Sequence, residues 1–181
     1  MAYFGPQKRH AEEIEACGAQ LLRFDFFHKG IESITGTYHR STVRADVQDI
    51  PLQDGALDGV VILHVLEHVQ SHQVAAAELG RVIRPGGHLL VETPCDSSTE
   101  RHLACSNDKA RAWGGTEDKA TNSSLCLQVD HRWALSCKML ASELAAAGFT
   151  CTREAELLSK ELVERFGLAM GGGWFNSCVK N

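Results

Sequence analysis

DGVVILHVLEHVQSHQVAAAELGRVIRPGGHLLVETP, Asp58 to Pro94, carries two periodicities one after the other. Gly59 to Leu63 is a short, β-branched apolar run, the composition of a strand buried on both faces. From Ala75, apolar residues recur at Leu79, Val82 and Ile83, the spacing of one helix face, and Arg84-Pro85-Gly86-Gly87 then stops the helix. His88 to Thr93 reads as a second strand. Strand, helix, turn and strand in that order predict a right-handed parallel unit, with both strands ending at one rim of the sheet. Ligands of open α/β sheets sit at that rim. His64, Glu67 and His68 fall just past the end of the first strand, where such a ligand would lie.

The flanks repeat the alternation. Lys8 to Cys17 reads as a helix with Ala11 and Ile14 inward and Gly18 as its stop. Leu21 to Phe27 is a strand with Asp25 near its end, and Thr42 to Ala45 a shorter one that delivers Asp46 to its C-terminal end. From Cys95 to Asp130 periodicity fails, and a substrate cover or an unstructured insert are both open readings. Leu135 to Ala147 is helical, with Asp130 as a candidate cap beside His131. Phe149 to Thr152 reads as a strand, Glu154 to Phe166 as a helix and Trp174 to Val179 as a last strand. The alternation predicts one α/β domain over residues 1–181, a mostly parallel, doubly wound sheet interrupted by an irregular insert at 95–130.

Composition narrows the function classes. With 181 residues, 44% hydrophobic and 23% charged, the chain is sized for one globular core, and no apolar run reaches transmembrane length. A net charge of -5 gives no general attraction to phosphate backbones, so a small-molecule substrate is expected, and neither nucleic acid nor a membrane. The N-terminal residues have no secretory pattern, which predicts a cytoplasmic protein. Seven cysteines form no CxxC pair and read as reduced thiols. A zinc site can be drawn from His102, Cys105, Cys126 and His131, but the gaps match no finger or ribbon, so no metal is expected.

Ala45 to Pro94, ADVQDIPLQDGALDGVVILHVLEHVQSHQVAAAELGRVIRPGGHLLVETP, resembles the central segment of class I S-adenosylmethionine-dependent methyltransferases, of the type 11-like group, nearly position for position. Asp130 to Phe149 resembles the helix and Gly-Phe turn that precede the last two strands of that family. The resemblance implies a Rossmann-like sheet with an antiparallel last strand, and S-adenosylmethionine as cofactor. It assigns Asp25 to the ribose hydroxyls, since a carboxylate offers two acceptors to two adjacent donors. It assigns Phe26 to the adenine face, Asp46 to the adenine amino group, the Val47 backbone N–H to a ring nitrogen, and His64 to the methionine end. As isolated residues, Asp25 reads equally as a strand-end carboxylate and Asp46 as a turn former. Glu67 and His68 read as metal or proton ligands or as capping groups, and no catalytic base is named.

The departure from the family is at the front. Its first strand leads into an acid and a glycine-rich loop; here Ala2-Tyr3-Phe4-Gly5-Pro6-Gln7 stands there, with Gly5 at the first glycine's place and the strand nearly absent. Pro6 removes an N–H donor and Gln7 adds a side chain where the backbone should approach the cofactor. The expected reaction is methyl transfer to a small acceptor. The alternative is an inactive, methyltransferase-like binding or regulatory module.

Overall fold

The computed structural model describes residues 1–4, 12, 14–25, 42–96, 98, 100–105, 131–153 and 173–181. Strands β1 (Ala2–Phe4), β2 (Leu22–Asp25), β3 (Thr42–Arg44), β4 (Leu57–Leu63) and β5 (Ile83–Asp96) are mutually parallel in the order β3-β2-β1-β4-β5. On the far side of β5, β9 (Gly173–Lys180) runs antiparallel and is flanked by β8 (Phe149–Arg153), so the antiparallel last strand is as expected. Helix α1 (His72–Val82) joins β4 to β5, and α2 (Cys137–Ala146) precedes β8. Residues 12 and 14–16 are helical and stop before Gly18, whose N–H donates to Glu15 O at 2.9 Å. The Glu154 to Phe166 helix lies outside the described residues.

The apolar residues that set the periodicity are the ones that pack. Val60 and Ile62 of β4, Leu89 and Val91 of β5, Ala75, Leu79 and Val82 of α1, and Leu140 and Leu144 of α2 share one core. A smaller group, Leu21, Val61 and Leu63 with Ile14 against it, forms a second core. Two buried faces on β4 explain its unbroken apolar run.

The first strand is truncated as expected, three residues long, and is central, pairing with both β2 and β4. Several other expectations are corrected. The RPGG segment does more than end a helix: Ile83 already pairs with Leu57, and the ladder resumes at His88 opposite Gly59, so Arg84–Gly87 bulge out of a continuous strand. Gly86 there has φ +72°, and a Cβ on Gly87 would stand 2.6 Å from Ile83 Cγ2, so the bulge requires glycine at both positions. Regular structure does not fail at Cys95, because β5 runs to Asp96 and β6 (Leu103–Ala104) pairs with β7 (Trp133–Ser136). The second helix starts at Cys137, not Leu135, because Leu135 pairs with Cys95 of β5. Its cap is Ser136, whose Oγ accepts from Met139 N at 3.3 Å, and not Asp130.

The cysteines are corrected as well. Cys95 is bonded to Cys137 and Cys151 to Cys178, Cys105 is also in a disulfide, and Cys17 is free and exposed. The second bond links residues directly opposite each other on β8 and β9. Among the described residues, no helix is long and apolar enough to cross a membrane.

Candidate active site

Parallel pairing puts the C-terminal ends of β1 to β5 on one rim, and of the predicted site residues Asp25, Asp46 and His64 follow strand ends along it. Asp25 is the last residue of β2 and pairs with Arg44, so Asp46, two residues past that partner, stands on the neighbouring strand end. Asp46 also makes a tight turn. Its Oδ1 accepts from Gln48 N at 2.9 Å and from Gln48 Nε2 at 3.1 Å, and Oδ2 accepts from Gln48 Nε2 at 3.1 Å. These contacts are those of the turn-former reading. A carboxylate has about four acceptor positions, so Oδ2 keeps capacity for one more donor. Asp46 lines an open depression with Arg44, Ala45, Asp49 and Pro51. Val47 is buried in the core. Gly5 and Phe26 lie outside the described residues, as do Pro6 and Gln7.

His64 turns the chain off the end of β4. Its φ of +53° is rare for a residue with a side chain, and its N–H donates to Glu92 O on β5 at 2.9 Å. Its ring lies between two carboxylates: Nδ1 is 3.4 Å from Glu67 Oε1 and Nε2 is 3.8 Å from Glu92 Oε1. Glu67, at the rim, holds His64 above the ordinary imidazole range against the opposing effect of burial. Burial pushes the Glu67 carboxyl up, but contact with His64 and the charge of His68 outweigh it, and the net displacement is downward. Glu92 is raised, chiefly by burial, against the pull of His64.

Glu67 is 1% exposed and belongs to a single 3₁₀ turn, Leu66–His68, that it does not cap. Thr93 Oγ1 donates to its Oε2 at 2.9 Å. His68 and His131 approach its Oε1, both to 3.9 Å through Nε2. Sequence reasoning placed Glu67 and His68 here, missed Thr93 and Glu92, and drew into a different grouping His131. The last is held in place by its neighbour, since Arg132 N donates to Glu67 O at 2.9 Å.

A second buried polar group lies between the two helices. Ser136 N donates to His102 Nδ1 at 2.9 Å, so the ring proton sits on Nε2, 3.2 Å from Glu143 Oε2. Gln73 Nε2 donates to the other oxygen, Glu143 Oε1, at 2.7 Å. The His72 ring packs against those of His102 and Trp133, and its Nε2 is buried without a partner. Burial first, then the neighbouring His102, pushes His72 down to about 3. The four-residue zinc grouping drawn from sequence is not assembled: His102 goes to Glu143, His131 to Glu67, and Cys105 is in a disulfide.

A parallel sheet in the order 3-2-1-4-5 with an antiparallel strand beyond it, and acids on the ends of its second and third strands, is the Rossmann-like architecture of class I methyltransferases. Comparison with known proteins agrees with this fold. Residues 5–91, just under half of the chain, match the methyltransferase domain family, and over that segment the chain is similar to S-adenosylmethionine-dependent methyltransferases. A probable S-adenosylmethionine-dependent methyltransferase of Mycolicibacterium smegmatis is 31% identical over 85 residues, 46% of this chain and 33% of that protein. A demethylmenaquinone methyltransferase of Mycobacterium sp. (strain KMS) is 34% identical over 92 residues, 51% of this chain and 38% of its own. The chain therefore spans about a third of the length of these relatives. Among solved structures, an S-adenosylmethionine-dependent methyltransferase from Mesorhizobium loti superposes with a TM-score of 0.67 at 15% identity, covering 99% of this chain and 90% of the other. The [4+2]-cyclase SpnF superposes at 0.64 and 14% identity, covering 99% and 74%.

The family's cofactor is S-adenosylmethionine. Asp25 and Asp46 fall at adjacent strand ends, and Asp46, with an acceptor position to spare for an amino donor, lines an open depression.

Proposed function

We propose that this chain transfers the methyl group of S-adenosylmethionine to a small-molecule acceptor. The observation that carries the reading is the placement of Asp25, Asp46 and His64 on one rim, in the order the nucleoside and methionine ends of one cofactor require. When bound, the cofactor supplies an electrophilic sulfonium methyl. Asp25 receives the ribose hydroxyls, Asp46 the adenine amino group and the Val47 N–H a ring nitrogen. His64, fixed between Glu67 and Glu92, borders the methionine end. What the protein contributes is alignment of an acceptor heteroatom with that methyl group and exclusion of water, so a dedicated base is not required. The demethylmenaquinone methyltransferases among the relatives support an organic acceptor of modest size.

Isothermal titration with S-adenosylmethionine tests the reading. Asp25→Ala or Asp46→Asn is expected to weaken binding roughly 10- to 100-fold, the equivalent of one hydrogen bond to a charged group. Asn keeps an acceptor for Gln48 N, so the turn survives in the second variant. No heat and no thermal shift at saturating cofactor would rule the reading out.

The second reading is a module that keeps the fold without methyl transfer, and the sequence Tyr3-Phe4-Gly5-Pro6-Gln7 in place of an acid and glycine loop favours it. The similarity to a cyclase shows that this fold also serves other reactions. If Asp25→Ala changes neither ligand binding nor biological activity, this second reading stands.

A further inference from the structure

We propose that Glu67, His68 and His131 form a binding site for a divalent transition-metal ion such as zinc. Their ligating atoms lie within 4.8 Å of one another, and two imidazole nitrogens each stand 3.9 Å from the same carboxylate oxygen. That is too long for N–H···O hydrogen bonds, which close at about 2.7 to 3.2 Å. It is close to the edge of a coordination tetrahedron: with metal–ligand distances of about 2.0 to 2.1 Å, neighbouring ligands sit roughly 3.4 Å apart. A contraction of about half an ångström along each nitrogen–oxygen edge, with the two edge-to-face imidazoles turning towards each other, would seat the ion.

The surroundings are those of a ligand set. Glu67 is buried, and its Oε1, already 3.4 Å from His64 Nδ1, also faces the two further imidazoles. Its second oxygen is already fixed by Thr93 Oγ1 at 2.9 Å, the outer-shell hydrogen bond that orients metal-bound carboxylates. Arg132 N, bonded to Glu67 O, ties the His131 segment to the 3₁₀ turn, so ligands 63 residues apart are held in one place. His68, with a side chain 38% exposed, leaves a path from solvent. Two imidazoles and one carboxylate favour zinc, cobalt or nickel over magnesium or calcium, which prefer all-oxygen cages. Three protein ligands also leave a coordination position open.

The His72, His102 and Glu143 group is also compact, but it is the weaker metal site. His102 Nδ1 accepts from Ser136 N, so its Nε2 carries a proton that a metal would have to displace while that hydrogen bond broke. If the methyl-transfer reading holds, an ion on Glu67 would stand beside His64 at the acceptor end of the rim. The metal site itself does not depend on that reading.

The test is titration of the purified, disulfide-intact full chain with Co²⁺ after removal of bound metal by a chelator, at neutral pH. One Co²⁺ per chain is expected, with visible d–d absorption, no near-ultraviolet thiolate charge-transfer band, and displacement by Zn²⁺. His68→Gln and His131→Gln are each expected to weaken binding at least about tenfold, a loss that even outer-shell substitutions reach. His102→Gln is expected to leave it unchanged. His68 is exposed, so its variant decides the matter even if His131→Gln fails to fold. Absence of stoichiometric binding, a thiolate band, binding undiminished in His68→Gln, or loss in His102→Gln would each overturn the proposal. A separate titration of the metal-free protein with S-adenosylmethionine reports on methyl transfer independently.

Discussion

His72 is a buried imidazole held neutral, and this gives the fold a specific acid sensitivity. Its folded pKa, about 3, lies far below the ordinary 6.5, so the unfolded chain takes up a proton that the folded chain refuses. The stability it permits is complete above pH 6.5 and is lost as pH falls towards 3, at about 1.4 kcal/mol per unit. Between pH 6.5 and 5 the expected loss is about 2 kcal/mol, which urea unfolding at the two values measures. Substitution by Asn should flatten that difference. His64 is displaced the other way and stabilises the fold as pH falls, so the informative quantity is wild type minus His72→Asn at each pH. The rim acids and His64 were legible in the sequence because they follow strands of readable periodicity. His131, Thr93 and His72 were not, since only the tertiary fold brings them to Glu67 or to His102.

The packing of α1 against α2 yields a test in which two effects oppose each other. Gly80 lies inside α1, and Ala there should gain about 1 kcal/mol of helix propensity. A Cβ at Gly80 would, however, stand 2.6 Å from Ala147 O, a backbone atom at the end of α2 that cannot swing aside. Overpacking of this kind costs about 1 to 3 kcal/mol, so Gly80→Ala is expected to be destabilising. Thermal unfolding that shows Gly80→Ala as stable as wild type would mean that the helices stand further apart. Helix and strand identities were readable here, but their ends were not. Leu135 has helical spacing with Leu140 and Leu144, yet it is drawn into a strand by Cys95, and Ile83 is drawn into one by Leu57. In both cases a partner distant in sequence overrides the local pattern.

The disulfides change the expected response of the protein to its surroundings. Cys95–Cys137 and Cys151–Cys178 close separations of 42 and 27 residues, worth roughly 3 to 4 kcal/mol each as constraints on the unfolded chain. Thermal unfolding with and without reductant should therefore differ by several degrees, and Cys151→Ser with Cys178→Ser should remove part of that difference. A thiol assay on denatured, unreduced protein that finds all seven cysteines free would refute the pairing. Such bonds persist mainly in oxidising compartments, which sets them against the cytoplasmic location expected from the N-terminal sequence. The spacing of these cysteines announced nothing, because register on β8 and β9 pairs them.

The three residues Ala2, Tyr3 and Phe4 have a further consequence. Among the described residues, β2 and β3 reach the rest of the sheet only through that short ladder, reinforced by the Phe4 ring stacked on Phe24 at 4.9 Å. The acids that would grip the nucleoside thus stand on one side of this ladder and the histidine beside the reacting methyl on the other, with Ser71 N on Gln48 Oε1 and Ile50 N on Glu78 Oε1 as the further ties between them. Loosening the ladder, as in Phe4→Ser, should abolish cofactor binding while every proposed ligand residue remains in the chain.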